Sequence, residues 1–134
     1  MTKTQRAYFR AAKAVSELSD HPQHKHGCVV VKGHRIISSG YNSCIRQHRV
    51  QAELDMERFG VNCPGKLHSE TSALLPLIKN DIDLSKASIY IYREHKNGAL
   101  ANSKPCPSCE RLIRQFGIKR VYYTVENGYA EVKY

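Results

Sequence analysis

Two hydrophobic periods alternate along the chain, and the switches between them lay out its elements. Tyr8, Ala11, Ala12, Val15 and Leu18 recur at helical spacing within residues 4 to 19, which predicts an amphipathic first helix packed on a sheet. Cys28 to Lys32 and Arg35 to Ser39 read as two short strands, joined by Gly33-His34 as a hairpin. A long irregular segment runs from Tyr41 to Leu67, with a short helix expected within His48 to Phe59. Helical spacing returns from Ser69 to about Lys79, where Pro76 should kink or shorten the helix and Asn80 end it. Ser88 to Tyr92 is a further β run. Cys109, Leu112, Ile113 and Phe116 then follow i, i+3, i+4, i+7, with Gly117 placed to stop that helix in a left-handed conformation. Arg120 to Thr124 is the next strand.

Strands alternating with helices predict parallel neighbours in an α/β architecture. The C-terminus departs from that rule. Val121–Thr124 and Tyr129–Tyr134 are separated only by Val125-Glu126-Asn127-Gly128, too short for a helical crossover, so these two strands must pair antiparallel. The expected fold is therefore a three-layer α/β fold on a five-stranded mixed sheet of order 2-1-3-4-5, with helices on both faces and the last two strands antiparallel. At 134 residues, one domain spanning 1–134 is long enough to bury a core without staples.

Charge and cysteine usage narrow the setting. Twenty-one Lys and Arg against twelve Asp and Glu give a net charge of +9, which favours anionic partners such as a nucleotide or a nucleic acid. No apolar run approaches the length needed to span a bilayer, and no signal-peptide pattern is visible, so no membrane partner is expected. An odd cysteine count of five, two of them in one Cys-x-x-Cys, points to a reducing, cytoplasmic compartment.

The chemistry concentrates in His68-Ser69-Glu70 and Pro105-Cys106-Pro107-Ser108-Cys109. Together they offer three metal donors and one carboxylate without ligand duty. A catalytic zinc takes three protein ligands and leaves its fourth position to water, whose pKa falls from roughly 16 to about 7. Cys106 and Cys109, three apart, put both sulfurs on one face of a first helical turn, where free N–H groups and the helix dipole favour thiolate. Pro105 and Pro107 suit that placement, since the first turn needs no N–H partner. His68 and Glu70, two apart at a helix start, point in different directions, so one can bind metal while the other faces a substrate. A redox pair and a structural zinc are the alternatives. A four-sulfur structural site would need a second Cys-x-x-Cys, which the chain lacks.

With these motifs in hand, the chain resembles the cytidine and deoxycytidylate deaminase superfamily, whose signature is His-x-Glu followed by Pro-Cys-x-x-Cys. Gly27-Cys28-Val29-Val30-Val31 and Ile36-Ile37-Ser38-Ser39-Gly40-Tyr41-Asn42 are similar to the paired strands and Gly-x-Asn of deoxycytidylate deaminases. The resemblance implies Zn2+ as cofactor, held by His68, Cys106 and Cys109, and Glu70 as the catalytic proton carrier. It also implies Asn42 as a substrate residue, with Ser69 beside it where the family usually has Ala, and Ser43 where it usually has Gly. A homo-oligomer and a small-molecule nucleotide substrate are expected. Within Tyr41 to Leu67, Arg46 and Arg49, with His48 and Lys66, are the candidate phosphate partners, since a loop this long in a compact domain is usually functional. Cys63 and His21, His24 and His26 make a second metal site only if they converge in space.

The motifs do not name the base, because cytosine and adenine present the same amidine. Conversion of deoxycytidylate to the uracil nucleotide with release of ammonia is the leading expectation. The resemblance gives free-cytidine deaminases an antiparallel C-terminal pair like the one expected here, so free cytidine or deoxycytidine is an alternative substrate. Editing of a nucleic-acid base is another, less favoured because no basic stretch interleaved with aromatics is present. An idle zinc-folded binding module would have no use for Glu70.

Overall fold

The computed structural model describes residues 1–44, 67–79 and 81–134. The expected helix within 48–59, the end signal at Asn80, and Arg46, His48, Arg49, Cys63 and Lys66 lie outside these described residues.

Helix α1 (Lys3–Ser16) opens on a capping box in which the Gln5 N–H donates to Thr2 Oγ1 at 3.1 Å and the Thr2 N–H to Gln5 Oε1 at 3.0 Å. It ends three residues earlier than its apolar stripe predicts. The chain leaves the α geometry after Ser16, so Leu18, expected on the packed face, stands 65% exposed. Strands β1 (His26–Lys32) and β2 (Arg35–Tyr41) form the expected hairpin, with Gly33 at φ 58 and His34 at φ 64, both positive as a two-residue type I′ turn requires. Helix α2 (Ser69–Leu74) passes into a 3-10 turn at Leu75–Leu77. Pro76 has no N–H to continue the α ladder and shortens the helix as its sequence predicts.

Strand β3 (Ser88–Arg93) is followed by helix α3 (Pro107–Gln115), strand β4 (Arg120–Val125) and strand β5 (Gly128–Lys133). Gly117, at φ 83, closes α3 as expected: its N–H donates to Arg114 O at 3.0 Å and the Ile118 N–H to Ile113 O at 3.3 Å, a Schellman pair. Among the described residues, no helix is long and apolar enough to cross a membrane.

The sheet order is β2-β1-β3-β4-β5, with β4 and β5 antiparallel. Only β3 and β4 are parallel neighbours, whereas β1 runs antiparallel to both β2 and β3. The expectation of parallel neighbours is corrected here for a simple reason. The crossover through α2 does join parallel strands β2 and β3, but the hairpin partner β1 lies between them. The arrangement fixes where a site can form. The carboxyl ends of β2 and β3, the starts of α2 and α3, and the first residue of β1 all meet at one edge of the sheet.

Strand alternation separates two cores. Cys28, Val30, Ile89, Ile91 and Val121 face α2 and α3, meeting Ala73, Leu74, Leu112 and Ile113. Val29, Val31, Tyr90 and Tyr92 face α1, meeting Phe9 and Ala12. Two glycines let helices touch the hairpin from opposite sides. A Cβ on Gly27 would lie 2.0 Å from Ala12 O in α1, and one on Gly40 would lie 2.3 Å from Ala73 N in α2. The Ser38 hydroxyl donates to Ala73 O at 2.5 Å beside the second contact. Gly40→Ala is therefore expected to destabilise the protein by about 2 to 3 kcal/mol, because backbone cannot rotate away as a side chain does. Chemical denaturation checks this, and an unchanged midpoint would show that α2 is free to slide.

Candidate metal centre

The three donors arrive from two helix starts. His68 is the N-cap residue of α2, with extended backbone at φ −80 and ψ 152, and is led in by a two-way bridge. The Ser43 N–H donates to Leu67 O at 2.8 Å and the Leu67 N–H to Ser43 O at 2.7 Å. Cys106 is the N-cap residue of α3, also extended, with Pro107 in the first turn and Cys109 one turn on. His68 Nδ1 lies 3.2 Å from Cys109 Sγ and 3.6 Å from Cys106 Sγ, and all three donor atoms fall within 4.8 Å of one another. Among the described residues this is the one group of three or more His, Cys, Asp or Glu side chains that converges in this way. His21, His24 and His26 do not form a second such group. Instead His21 and His24 stack at 5.3 Å, and His24 Nδ1 meets Arg93 Nη2 at 2.8 Å.

The donor set fits zinc. A tetrahedral ion with nitrogen at about 2.0 Å and sulfur at about 2.3 Å sets nitrogen–sulfur separations near 3.5 Å, and the two observed distances bracket that value. The hydrogen bond between the sulfurs holds the Cys106 thiol down to about 3, with His68 adding to the effect, and pushes the buried Cys109 thiol well above its ordinary range. One proton shared by the pair is what a divalent cation would displace.

Glu70 is buried, 6% exposed, and lies close enough to Cys109 to raise its thiol further. It is not among the converging donors. The Ser69 hydroxyl, itself 1% exposed, donates to Glu70 Oε1 at 2.5 Å, so this side chain orients the carboxylate. His68, Ser69, Glu70 and Cys106 line a cavity of about 240 Å³, whose other walls include Asn42, Ser43, His21, His26, Ser103 and Lys104. That volume holds a pyrimidine ring with room toward the surface.

Asn42 reaches this cavity but its amide is largely committed to backbone. Its Oδ1 accepts from the Ser19 hydroxyl at 2.7 Å and from the His26 N–H at 2.8 Å, and its Nδ2 donates to His24 O at 2.6 Å. Ser43 donates from its hydroxyl to Asp20 Oδ2 at 2.6 Å, and the Cys44 N–H donates to Asp20 Oδ1 at 2.9 Å. These bonds hold the Asp20 carboxyl below its usual range.

Sequence reasoning missed His21, His26 and Lys104. Lys104 stands directly before Pro105-Cys106 and was open to discovery there. His26 was hidden because β1 was taken to begin at Cys28. Two residues earlier on the same strand face, it points toward the metal side of the sheet. Burial, and then the charge of Arg93 across the β1–β3 pair, push its imidazole down to about 3, so it is neutral.

An imidazole, two thiols and a separate carboxylate gathered at helix starts beside a mixed sheet define a metal-assisted deaminase site. Residues 1–125 match the cytidine and deoxycytidylate deaminase zinc-binding region, and the chain belongs to this family. It is 32% identical over 132 residues to the deoxycytidylate deaminase of Mycobacterium phage D29, covering 90% of this chain and 93% of that one. The crystal structure of dCMP deaminase from cyanophage S-TIM5 in complex with dCMP and dUMP superposes with a TM-score of 0.66 at 26% identity, over 92% of this chain and 82% of that one. A cytidine deaminase from Burkholderia pseudomallei shares the fold at a TM-score of 0.64 and 19% identity, over 99% of this chain and 93% of that one.

Proposed function

We propose that this protein is a zinc-dependent hydrolytic deaminase that converts a cytosine nucleotide, deoxycytidylate foremost, to the uracil nucleotide and ammonia. One observation carries the reading. His68, Cys106 and Cys109 converge at the floor of a cavity that Glu70 also lines without joining them.

These three residues would hold the zinc. Bound there, it supplies Lewis acidity, lowering the pKa of water from roughly 16 to about 7. Glu70 does the proton work. Its carboxylate takes a proton from the attacking water and delivers it to the ring nitrogen beside the amine-bearing carbon. The water oxygen bonds to that carbon, Glu70 passes the second proton to the amine, and the carbon–nitrogen bond breaks to release ammonia. The Ser69 hydrogen bond keeps the carboxylate aimed through both transfers. The cationic wall of Lys104 and His21, with Arg46 and Arg49 as the phosphate partners, suits an anionic substrate.

The antiparallel β4–β5 pair is the observation that favours a second reading, a deaminase of free cytidine or deoxycytidine. Product formation from cytidine, deoxycytidine, deoxycytidylate and single-stranded oligonucleotides separates the two. Deoxycytidylate is expected to be turned over with kcat/KM about 10- to 100-fold above deoxycytidine, the scale of charge-assisted bonds to one phosphate. Replacing Arg46 or Arg49 by a neutral residue should narrow that gap. Equal rates on nucleoside and nucleotide would move the protein to the free-nucleoside reading. Activity confined to oligonucleotides, falling steeply with salt, would indicate strand editing.

A further inference from the structure

His26 holds a place that the proton chemistry above does not use. It lies on the β1 face that carries Cys28 and Val30 toward the metal side, at the strand end where the cavity opens, and it lines that cavity. Its backbone is fully engaged, since the N–H donates to Asn42 Oδ1 and the carbonyl accepts from the Asn42 N–H at 3.3 Å. Its ring is not. Among the described residues, neither imidazole nitrogen meets a hydrogen-bond partner. A half-buried ring with one donor and one acceptor unused is costly unless something entering the cavity completes it.

The neighbours show what holds the ring in place. Asn42 grips the backbone on both sides of Lys25: Nδ2 on His24 O, Oδ1 on the His26 N–H. Arg93, the cross-strand partner of His26, is itself tied down. Its Nη1 donates to Asn102 O at 3.1 Å and its Nη2 meets His24 Nδ1, so the guanidinium does not swing in to meet the His26 ring. With the reacting carbon beside Glu70, a nucleotide extends toward His26 and the basic rim. What it offers near the base is a neutral oxygen, either a sugar hydroxyl or the ring carbonyl.

We propose that His26 is a substrate-contacting, specificity-determining residue that hydrogen-bonds this neutral oxygen, and that Asn42 is a positioning residue acting through His26. The inference rests on the reading of the cavity as a nucleotide deaminase site. It gives Asn42 a different task from the direct sugar contact that the family resemblance implies.

The test uses the zinc-loaded full chain and four proteins: wild type, His26→Leu, Asn42→Ala and the double variant, with zinc content and thermal midpoint confirmed for each. His26→Leu is expected to lower kcat/KM on deoxycytidylate by about 10- to 100-fold, the scale of one buried hydrogen bond, and chiefly through KM. His26→Gln, which keeps a donor and an acceptor, should recover most of the loss, which a purely structural role would not do. The double variant should fall no further than the more impaired single one, because both substitutions remove the same contact. A His26→Leu kcat/KM within twofold of wild type overturns the inference, and so do single penalties that multiply in the double variant. Dideoxycytidylate then identifies the oxygen: a penalty that vanishes assigns the sugar hydroxyl, and one that persists assigns the ring carbonyl. Deoxyuridylate binding, followed by the NMR shift of the His26 ring, separates the two levels of the argument. Binding that depends on His26 without turnover by wild type defeats the deaminase reading alone. Turnover with no response of the ring to the nucleotide defeats the His26 assignment alone.

Discussion

Glu70→Ala is expected to retain one zinc per chain and a near-native thermal midpoint while losing turnover by roughly 10² to 10⁴ or more, the usual scale for a positioned general acid and base. The fold should tolerate the change because Glu70 contributes little to the core. It lies at a cavity wall, its described side-chain partner is Ser69, and the three metal donors converge without it. Truncation removes a buried carboxylate and frees one hydroxyl that can turn to water in the cavity. Metal analysis and steady-state kinetics on the same preparation decide the matter. Unchanged turnover would refute the assigned proton role, and loss of zinc would make Glu70 a ligand or a support of one.

Cys109→Ala should have the opposite signature, with metal and stability lost together. Cys109 is fully buried at the first turn of α3, and its sulfur lies 3.2 Å from His68 Nδ1, so no other side chain can move in to replace it. A ligand bound only by the folded state stabilises it by about 4 kcal/mol when present at a thousand times its dissociation constant. Stoichiometric zinc is expected to fall to a small residue. The thermal midpoint should drop to that of chelator-treated wild type and no longer respond to added metal. Full zinc content in this variant would end the three-ligand assignment.

The metal donors were legible in the sequence because chelation constrains spacing. Two sulfurs one helical turn apart after a proline, and a histidine two residues from a carboxylate, leave few other uses. Elements with strong local signals were legible too: Gly117 at its cap, Gly33-His34 in its turn, and a C-terminal connection too short for a helix. What escaped notice depends on partners distant in the chain. Leu18 continues the α1 stripe in sequence, yet the helix stops at Ser16, and composition did not mark that stop. The antiparallel β1–β3 pairing follows from where the hairpin docks, which no local pattern records. Asn42 was noticed through family likeness as a substrate residue, but its three amide bonds go to Ser19, His24 and His26, segments that fold back to it from the α1–β1 connection. Ser69, counted with it, turns its hydroxyl on Glu70.

Behind the cavity, the Ser103 and Thr124 hydroxyls meet at 2.8 Å, both buried. Thr124 Oγ1 also donates to Ala101 O at 2.7 Å, and Ser103 Oγ accepts the Thr124 N–H at 2.9 Å. This knot fastens the segment leading to Cys106 to the end of β4. The ligand sulfur is thereby referenced to the sheet rather than to its own loop. Its position inherits the stiffness of a five-stranded scaffold, and insertions elsewhere in the Glu94 to Leu100 excursion can vary without disturbing it. A protein fastened in this way can alter what surrounds its cavity while the reacting atoms keep their geometry, which separates the part of the chain that sets chemistry from the part that sets substrate.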